Sequence, residues 1–251
     1  MQWSSSNRAT RRLVVGAALV AVGCGVPPKD INLGDKGVFF PSLRITTAEP
    51  LSLASKETPA DPESMRKPER TFSIELDLSG GSGDDSQSLQ SGESIRFEGT
   101  TFSGPGTVDG EFDLVAGSLA LRVDMPRSES ARAAFLVGLG FTELDLELSQ
   151  NGTKERDTSS ALGLMLGVLA EIQFSSRTSF QGRFTLMLGK TGGDEDDGVV
   201  LTQLEAGLLW AIAGGVSVFG GFRHWSYEQN RTGSDVDIEM SGPVLGVQIG
   251  F

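Results

Sequence analysis

Ser160-Ala-Leu-Gly-Leu-Met-Leu-Gly-Val-Leu-Ala-Glu-Ile-Gln-Phe174 decides the fold. In an extended strand successive side chains point to opposite faces. Leu162, Leu164, Leu166, Val168, Ala170, Ile172 and Phe174 therefore share one face. The other carries Ala161, Gly163, Met165, Gly167, Leu169, Glu171 and Gln173, and Glu171 is the one charge in the stretch. A strand with one face in water would carry charge on that face. Apolar outside with small or polar inside is the arrangement of a strand facing lipid.

The same alternation recurs on both sides. Phe72, Ile74, Leu76 and Leu78 alternate with Ser73, Glu75, Asp77 and Ser79. Phe180, Phe184, Leu186 and Leu188 oppose Gln181, Arg183 and Thr185, and Leu204, Leu208, Trp210 and Ile212 oppose Gln203 and Glu205. At the end, Leu245, Val247, Ile249 and Phe251 stand against Gly246, Gln248 and Gly250. With segments at about 110–125, 132–149, 216–229 and 236–251, the pattern predicts eight strands from residue 70 onward. Short turns at 126–131, 175–178 and 213–215 alternate with longer polar loops at 80–109, 150–159, 191–198 and 230–235. That is the plan of an all-β, eight-stranded antiparallel up-and-down transmembrane barrel. An even count puts both chain ends on the short-turn side. Where the apolar parity slips, between Phe112/Leu114 and Leu119/Leu121/Val123 and again between Phe141 and Leu144, a β-bulge is expected.

Composition supports this reading. Mean hydropathy is −0.08, and no run of 18 apolar residues exists, which excludes a helical membrane protein but leaves a barrel open. A net charge of −12 argues against a nucleic-acid partner. One Cys and one His exclude an internal disulfide and make a His/Cys metal centre implausible; no cofactor or metal is expected.

The first 23 residues read as an export signal: Arg8, Arg11 and Arg12, then an apolar stretch from Leu13 to Gly23, too short to span a bilayer. The sequence Ala21-Val-Gly-Cys24 resembles a bacterial lipobox, which implies lipid attachment at Cys24. Residues 24–69 hold seven of the ten prolines and many charges of both signs, a composition that predicts a disordered periplasmic tether. Val38-Phe39-Phe40 interrupts it as a docking point. Residues 70–251 are the barrel.

Phe135-Leu-Val-Gly-Leu-Gly-Phe141, Val218-Phe-Gly-Gly-Phe-Arg223 and the ending Ser241-Gly-Pro-Val-Leu-Gly-Val-Gln-Ile-Gly-Phe251 resemble small Gram-negative outer-membrane barrels of the OmpA, OmpX and opacity-protein type. The resemblance implies an integral outer-membrane protein with long loops extracellular, surrounded by outer-membrane lipids and lipopolysaccharide. It also implies a C-terminal strand, ending in Phe251, that is read by the barrel-assembly machinery. A monomer is expected, with a structural or surface-interaction role.

Eight strands enclose an interior that side chains fill, so a wide general porin is not expected. Glu171, Arg183, Glu205 and Arg223 point inward by parity and are expected to pair, because isolated buried charge is costly. The acidic runs Gly83-Asp-Asp85 and Gly193-Asp-Glu-Asp-Asp-Gly198 lack the spacing of a dedicated calcium loop.

One constellation could carry chemistry. His224 and Ser226 share the lipid face of the seventh strand, and Glu239 shares that face on the eighth. A His that deprotonates a Ser, oriented by a carboxylate, is the logic of acyl hydrolysis. The trio resembles that of outer-membrane lipid A deacylases, with Tyr227 where that family has Asn. The alternative places His224-Trp225 in an interfacial aromatic belt. A third reading, a lipid-anchored lipocalin-like binder, would need an apolar interior and a charged exterior.

Overall fold

The computed structural model describes residues 28–36, 38–47, 72–125, 130–192, 197–231 and 234–250. Twelve strands are present among them and no helix. Two lie in the segment expected to be tether: β1 (Ile31–Lys36) and β2 (Phe40–Thr46). Then follow β3 (Phe72–Leu89), the short hairpin β4 (Ser94–Phe97) and β5 (Thr100–Ser103), and β6 (Gly106–Asp124). The remaining six are β7 (Ala131–Gln150), β8 (Thr153–Gln173), β9 (Thr178–Thr191), β10 (Gly198–Ala213), β11 (Val216–Gln229) and β12 (Val236–Gly250). The leader, Cys24, residues 48–71, the 193–196 stretch and Phe251 lie outside the described residues.

The eight expected long strands are β3 and β6 to β12, and they pair antiparallel in sequence order. They do not close on each other. β2 stands between β12 and β3, parallel to the first and antiparallel to the second, so the closed ring has nine strands. An odd ring of alternating strands leaves one parallel pair, and here it is β12 with β2. β1 continues the same line along the other half of β12, from Ile31↔Val236 to Lys36↔Ser241.

Two corrections follow for the expected domain plan. Residues 31–46 are not a solvated tether, and the barrel wall does not begin at residue 70. The prolines concealed this, and so did the register. Between Lys36↔Ser241 and Phe40↔Val244 the pairing slips by one residue, so odd positions point inward in β1 and even ones in β2. No single period runs through 31–46. Pro41 is tolerated because pairing with β3 begins only at Ser42, leaving that side of its backbone without a ladder partner.

Because β1 and β2 run with β12, the chain enters β1 at the rim carrying the long hairpins and leaves β2 at the rim carrying the short turns. The expectation that both chain ends lie on the short-turn side therefore fails for the N-terminal strand.

The expected bulges are absent at both parity slips. The β6–β7 register runs unbroken from Asp109↔Ser149 to Asp124↔Ala134, and β7–β8 is equally continuous. What changes is the solvent. Towards the short-turn rim the outward positions of β6 are Val115, Leu119 and Leu121, and the inward ones include Ala120 and Arg122. Towards the hairpin rim, Asp109, Glu111 and Asp113 point out while Val108, Phe112 and Leu114 are buried inside. On β7 the switch falls between outward Phe141 and outward Glu143, with Leu144, Leu146 and Leu148 inside. The pleat keeps its parity and the chemistry of the two faces is exchanged.

One half of the wall is thus apolar outside and polar inside, and the other half is the reverse. The apolar belt is nine residues tall on several strands (115–123 on β6, 133–141 on β7, 180–188 on β9, 204–212 on β10). That matches the roughly 9–11 residues a tilted strand needs to cross a bilayer. The wall beyond the belt is built of strand rather than loop. β7 and β8 run on to a turn at Asn151-Gly152, where residues 150–159 were expected to be a loop. Likewise β3 and β6 pair as far as Leu89↔Gly106, inside the expected 80–109 loop.

Candidate functional site

Inside the belt the barrel is filled by ion pairs. Arg44 of β2 lies at the centre: its Nε donates to Asp77 Oδ2 at 2.8 Å, its Nη1 to Gln181 Oε1 at 2.7 Å and its Nη2 to Glu205 Oε1 at 3.1 Å. Arg183 pairs with Glu75 and, at 3.4 Å, with Asp77. Arg223 donates from Nε to Glu205 Oε2 at 3.0 Å and from Nη2 to Ser42 Oγ at 3.3 Å. Glu171 lies apart from this group, accepting from Arg132 Nε at 2.9 Å and Ser179 Oγ at 2.7 Å. Arg122 bonds Asp124 at 2.9 Å. Of the four inward residues named from sequence, Glu205 and Arg223 touch directly, Arg183 joins them through Asp77 and Arg44, and Glu171 belongs to a separate pair.

Arg44, Glu75, Asp77 and Arg122 in this network, and Arg132 in the separate pair with Glu171, were not among the inward residues named from the sequence. Glu75 and Asp77 were legible from the parity of the first strand, opposite Ile74 and Leu76. Arg44 was hidden by the register slip. The pairing is a physical necessity: an uncompensated ion at this depth costs several kcal/mol. Between Asp77, Arg183, Thr185, Met187 and Gln203 there remains a cavity of about 20 Å³, room for about one water.

Above the ions lies an apolar tier that includes Phe40, Leu114, Leu144, Leu146, Met187 and Trp225. Phe40 meets Trp225 edge-on with ring centroids 5.1 Å apart, and the Arg223 guanidinium lies 5.7 Å from the Trp225 ring. The N-terminal segment needs space in the strands that flank it, β3 and β12. A Cβ on Gly81 would come within 2.8 Å of the Phe40 ring, and one on Gly242 within 2.0 Å of the Val38 carbonyl. Only glycine allows the N-terminal segment to lie this close.

The hairpin rim is capped. The β4–β5 hairpin buries Ile95, Phe97 and Phe102 in the same core. It is tied to the N-terminal segment, to the β7–β8 hairpin and to the β11–β12 connection. The Lys29 N–H donates to Ser94 O at 2.7 Å, the Arg96 N–H to Ser234 Oγ at 3.1 Å, the Ser103 N–H to Gln150 Oε1 at 3.1 Å and Thr100 Oγ1 to Glu155 at 3.2 Å. Arg231 packs its guanidinium 5.5 Å from the Phe97 ring while pairing with Asp157 at 2.6 Å and Glu98 at 3.4 Å. Beside this pair a polar cavity of about 320 Å³ opens, lined by Glu98, Asp157, Ser159, Asp197, Gln229 and Arg231. At the foot of the hairpin the Gln90 N–H donates to Glu93 Oε2 at 2.8 Å, with Lys29 Nζ at 3.3 Å, and these contacts hold the Glu93 carboxyl below its ordinary range.

His224, Ser226 and Glu239 all point outward. Ser226 stands directly across the β11–β12 ladder from Glu239, and His224 across from Ser241. Among the described residues no hydrogen bond joins the three. Their depth follows from where the belt ends on each strand. On β11 the belt ends at Phe222, and on β12 at Pro243 and Leu245. The trio therefore sits just beyond the belt, level with Ser241, Glu228 and Asp237. Chemically it is a serine, an imidazole and a carboxylate at headgroup depth rather than among acyl chains.

The outer wall beyond the belt is acidic on one side. Glu111 lies directly opposite both Asp84 and Glu147, and Asp113 opposite Asp145. Facing like charges of this kind oppose strand pairing, and β8 offsets them: Lys154 bonds Glu147 at 2.5 Å, and Arg156 Nε donates to Asp145 at 2.7 Å. Asp84 and Asp85 lie in β3, not on a loop, and Asp85 accepts from the Gly34 N–H at 2.8 Å.

A closed, mostly antiparallel wall with an apolar belt, an ion-paired interior and polar long hairpins defines the class: an outer-membrane β-barrel protein. Residues 67–211 match the family described as "Outer membrane protein beta-barrel domain", and the chain belongs to that family. No curated protein and no solved structure matches it. The matched region ends within β10, so β1, β2, β11 and β12, which form the parallel seam and carry the outward trio, lie outside it.

Proposed function

We propose that this barrel serves a structural or surface-interaction role and is not a wide porin. The filled interior carries the reading: Arg44, Arg183, Arg223 and their carboxylates occupy the belt level, and an apolar tier and hairpin cap lie above them. The family architecture puts short turns in the periplasm and long hairpins at the cell surface, where the capped mouth and acidic wall meet partners. Outer-membrane lipids and lipopolysaccharide then surround the belt, and the strand ending at Phe251 is what the barrel-assembly machinery reads.

Planar-bilayer recording of the detergent-folded protein tests this. The expected trace has no large stepwise conductance, while heated and unheated samples differ in electrophoretic mobility. A stable conductance of porin size would overturn the reading.

A second reading, an ester hydrolase, is favoured by one observation: Ser226 and Glu239 face each other with His224 beside them on the outward wall. Mass spectrometry of lipid A incubated with the parent protein and with Ser226→Ala decides it. Loss of an acyl chain with the parent alone would establish the enzyme. The lipocalin-like alternative describes only the half beyond the belt, where the interior is apolar and the exterior charged. It does not account for the belt.

A further inference from the structure

The N-terminal segment is the least expected part of the wall, and its direction has consequences for where the chain begins. At the hairpin rim the Lys29 N–H bonds Ser94 O, and the Ile31 N–H bonds Asp235 O, each at 2.7 Å. At the turn rim Thr46 pairs with Gly250 and Glu75, and the Thr47 N–H bonds Ile74 O at 3.0 Å. Between these rims the side chains follow the tiers of the rest of the barrel. Ile31, Leu33 and Phe40 enter the apolar tier, and Arg44 enters the ionic one. Outward, Leu43 is exposed within the belt, as its neighbours on β12, Leu245 and Val247, are.

We infer that β2 crosses the outer membrane with β1 continuing its line beyond the belt, and that the chain preceding Pro28 is displayed on the same side as the long hairpins. This rests on the proposed orientation, with short turns in the periplasm. A tether on the periplasmic side would need the segment to run antiparallel to β12, and its register with β12 is parallel throughout. The class of partner changes with the side: the N-terminal chain meets the outer leaflet and the medium rather than the periplasmic space. Ile31 lies five residues, about 17 Å along the strand, beyond Lys36 at the belt edge. Lys29 and Ile31 are held at that rim by backbone bonds, so the chain leaving Pro28 starts beyond the belt on the side of the long hairpins.

The test uses the full chain in cells, with one epitope inserted in three separate variants: between Val26 and Pro27, between Asp194 and Glu195, and between Arg127 and Ser128. Antibody binding is compared on intact and permeabilised cells. The first two epitopes should be bound on intact cells and the third only after permeabilisation. If the Asp194 epitope is exposed and the Val26 epitope is not, this inference fails and the orientation stands. If the Arg127 epitope is exposed and the Asp194 epitope hidden, the orientation itself fails. Folding of each variant is checked by heat-modifiable mobility. An independent arm pairs Gly34→Cys with Glu239→Cys, which face each other across β1 and β12. A disulfide in the assembled barrel is expected, and its absence in a folded variant would overturn the strand assignment.

Discussion

Arg44 and Glu205, 161 residues apart in the chain, meet inside the barrel at 3.1 Å. Both are almost fully buried, and Asp77, Glu75 and Arg223 complete the group around them. The contact joins the N-terminal strand to the opposite wall, so it fixes how β2 sits in the seam between β12 and β3.

Replacing Arg44 by Met should therefore cost more than a surface salt bridge would. Asp77 and Glu205 would each lose a guanidinium, and breaking a buried pair from one side costs about 3–5 kcal/mol. Denaturant unfolding of the detergent-folded barrel should show a lower midpoint in Arg44→Met. A midpoint equal to that of the parent would mean that the N-terminal strand is not held by these ions.

The belt edge predicts opposite outcomes on one face of one strand. Leu164 and Thr158 both point outward from β8, on either side of the switch between Leu162 and Ser160. Leu164→Arg should destabilise folding into lipid vesicles by about 2–4 kcal/mol. Thr158→Arg, opposite Asp145 in the ladder, should be close to neutral. Equal effects at the two sites would displace the belt.

The hairpin cap depends on Arg231, which bridges Asp157 and Glu98 while covering Phe97. In Arg231→Ala, amide exchange in residues 94–103 should accelerate, while the wall strands keep their protection. Unchanged exchange in the hairpin would show that Ile95, Phe97 and Phe102 suffice to hold it.

Glu93 gives the cap a dependence on pH. Its carboxyl is held below its ordinary value by the Gln90 N–H and by Lys29. A carboxyl depressed in the folded state stabilises fully above its unfolded pKa, about 4.3, and the contribution is lost as pH falls through the lower folded value. Hairpin exchange, corrected for intrinsic rates, should thus rise on acidification below about pH 4. Glu93→Gln should flatten that rise. A rise as steep in the Gln variant would assign it to another group.

The amino-acid sequence determined the strand class, the eight long strands and the outward and inward sets within the belt. Period-two alternation is a local property, and a lipid face is chemically unlike any soluble one, so stretches such as 160–174 could be read without neighbours. His224, Ser226 and Glu239 were likewise placed on the outward face by counting alone. Three things needed the tertiary structure. The parity slips at Gly117 and Phe141 look the same in sequence whether the pleat breaks or the solvent changes, and only the unbroken β6–β7 register separates the two. The depth of the outward trio depends on where the belt ends on adjacent strands, which strand staggering sets. And the ninth strand was invisible because 31–46 has no continuous period and no sequence-local partner: β1 and β2 are strands only because the edges of β12 and β3 offer backbone groups to pair with, while Gly81 and Gly242 leave room for Phe40 and Val38.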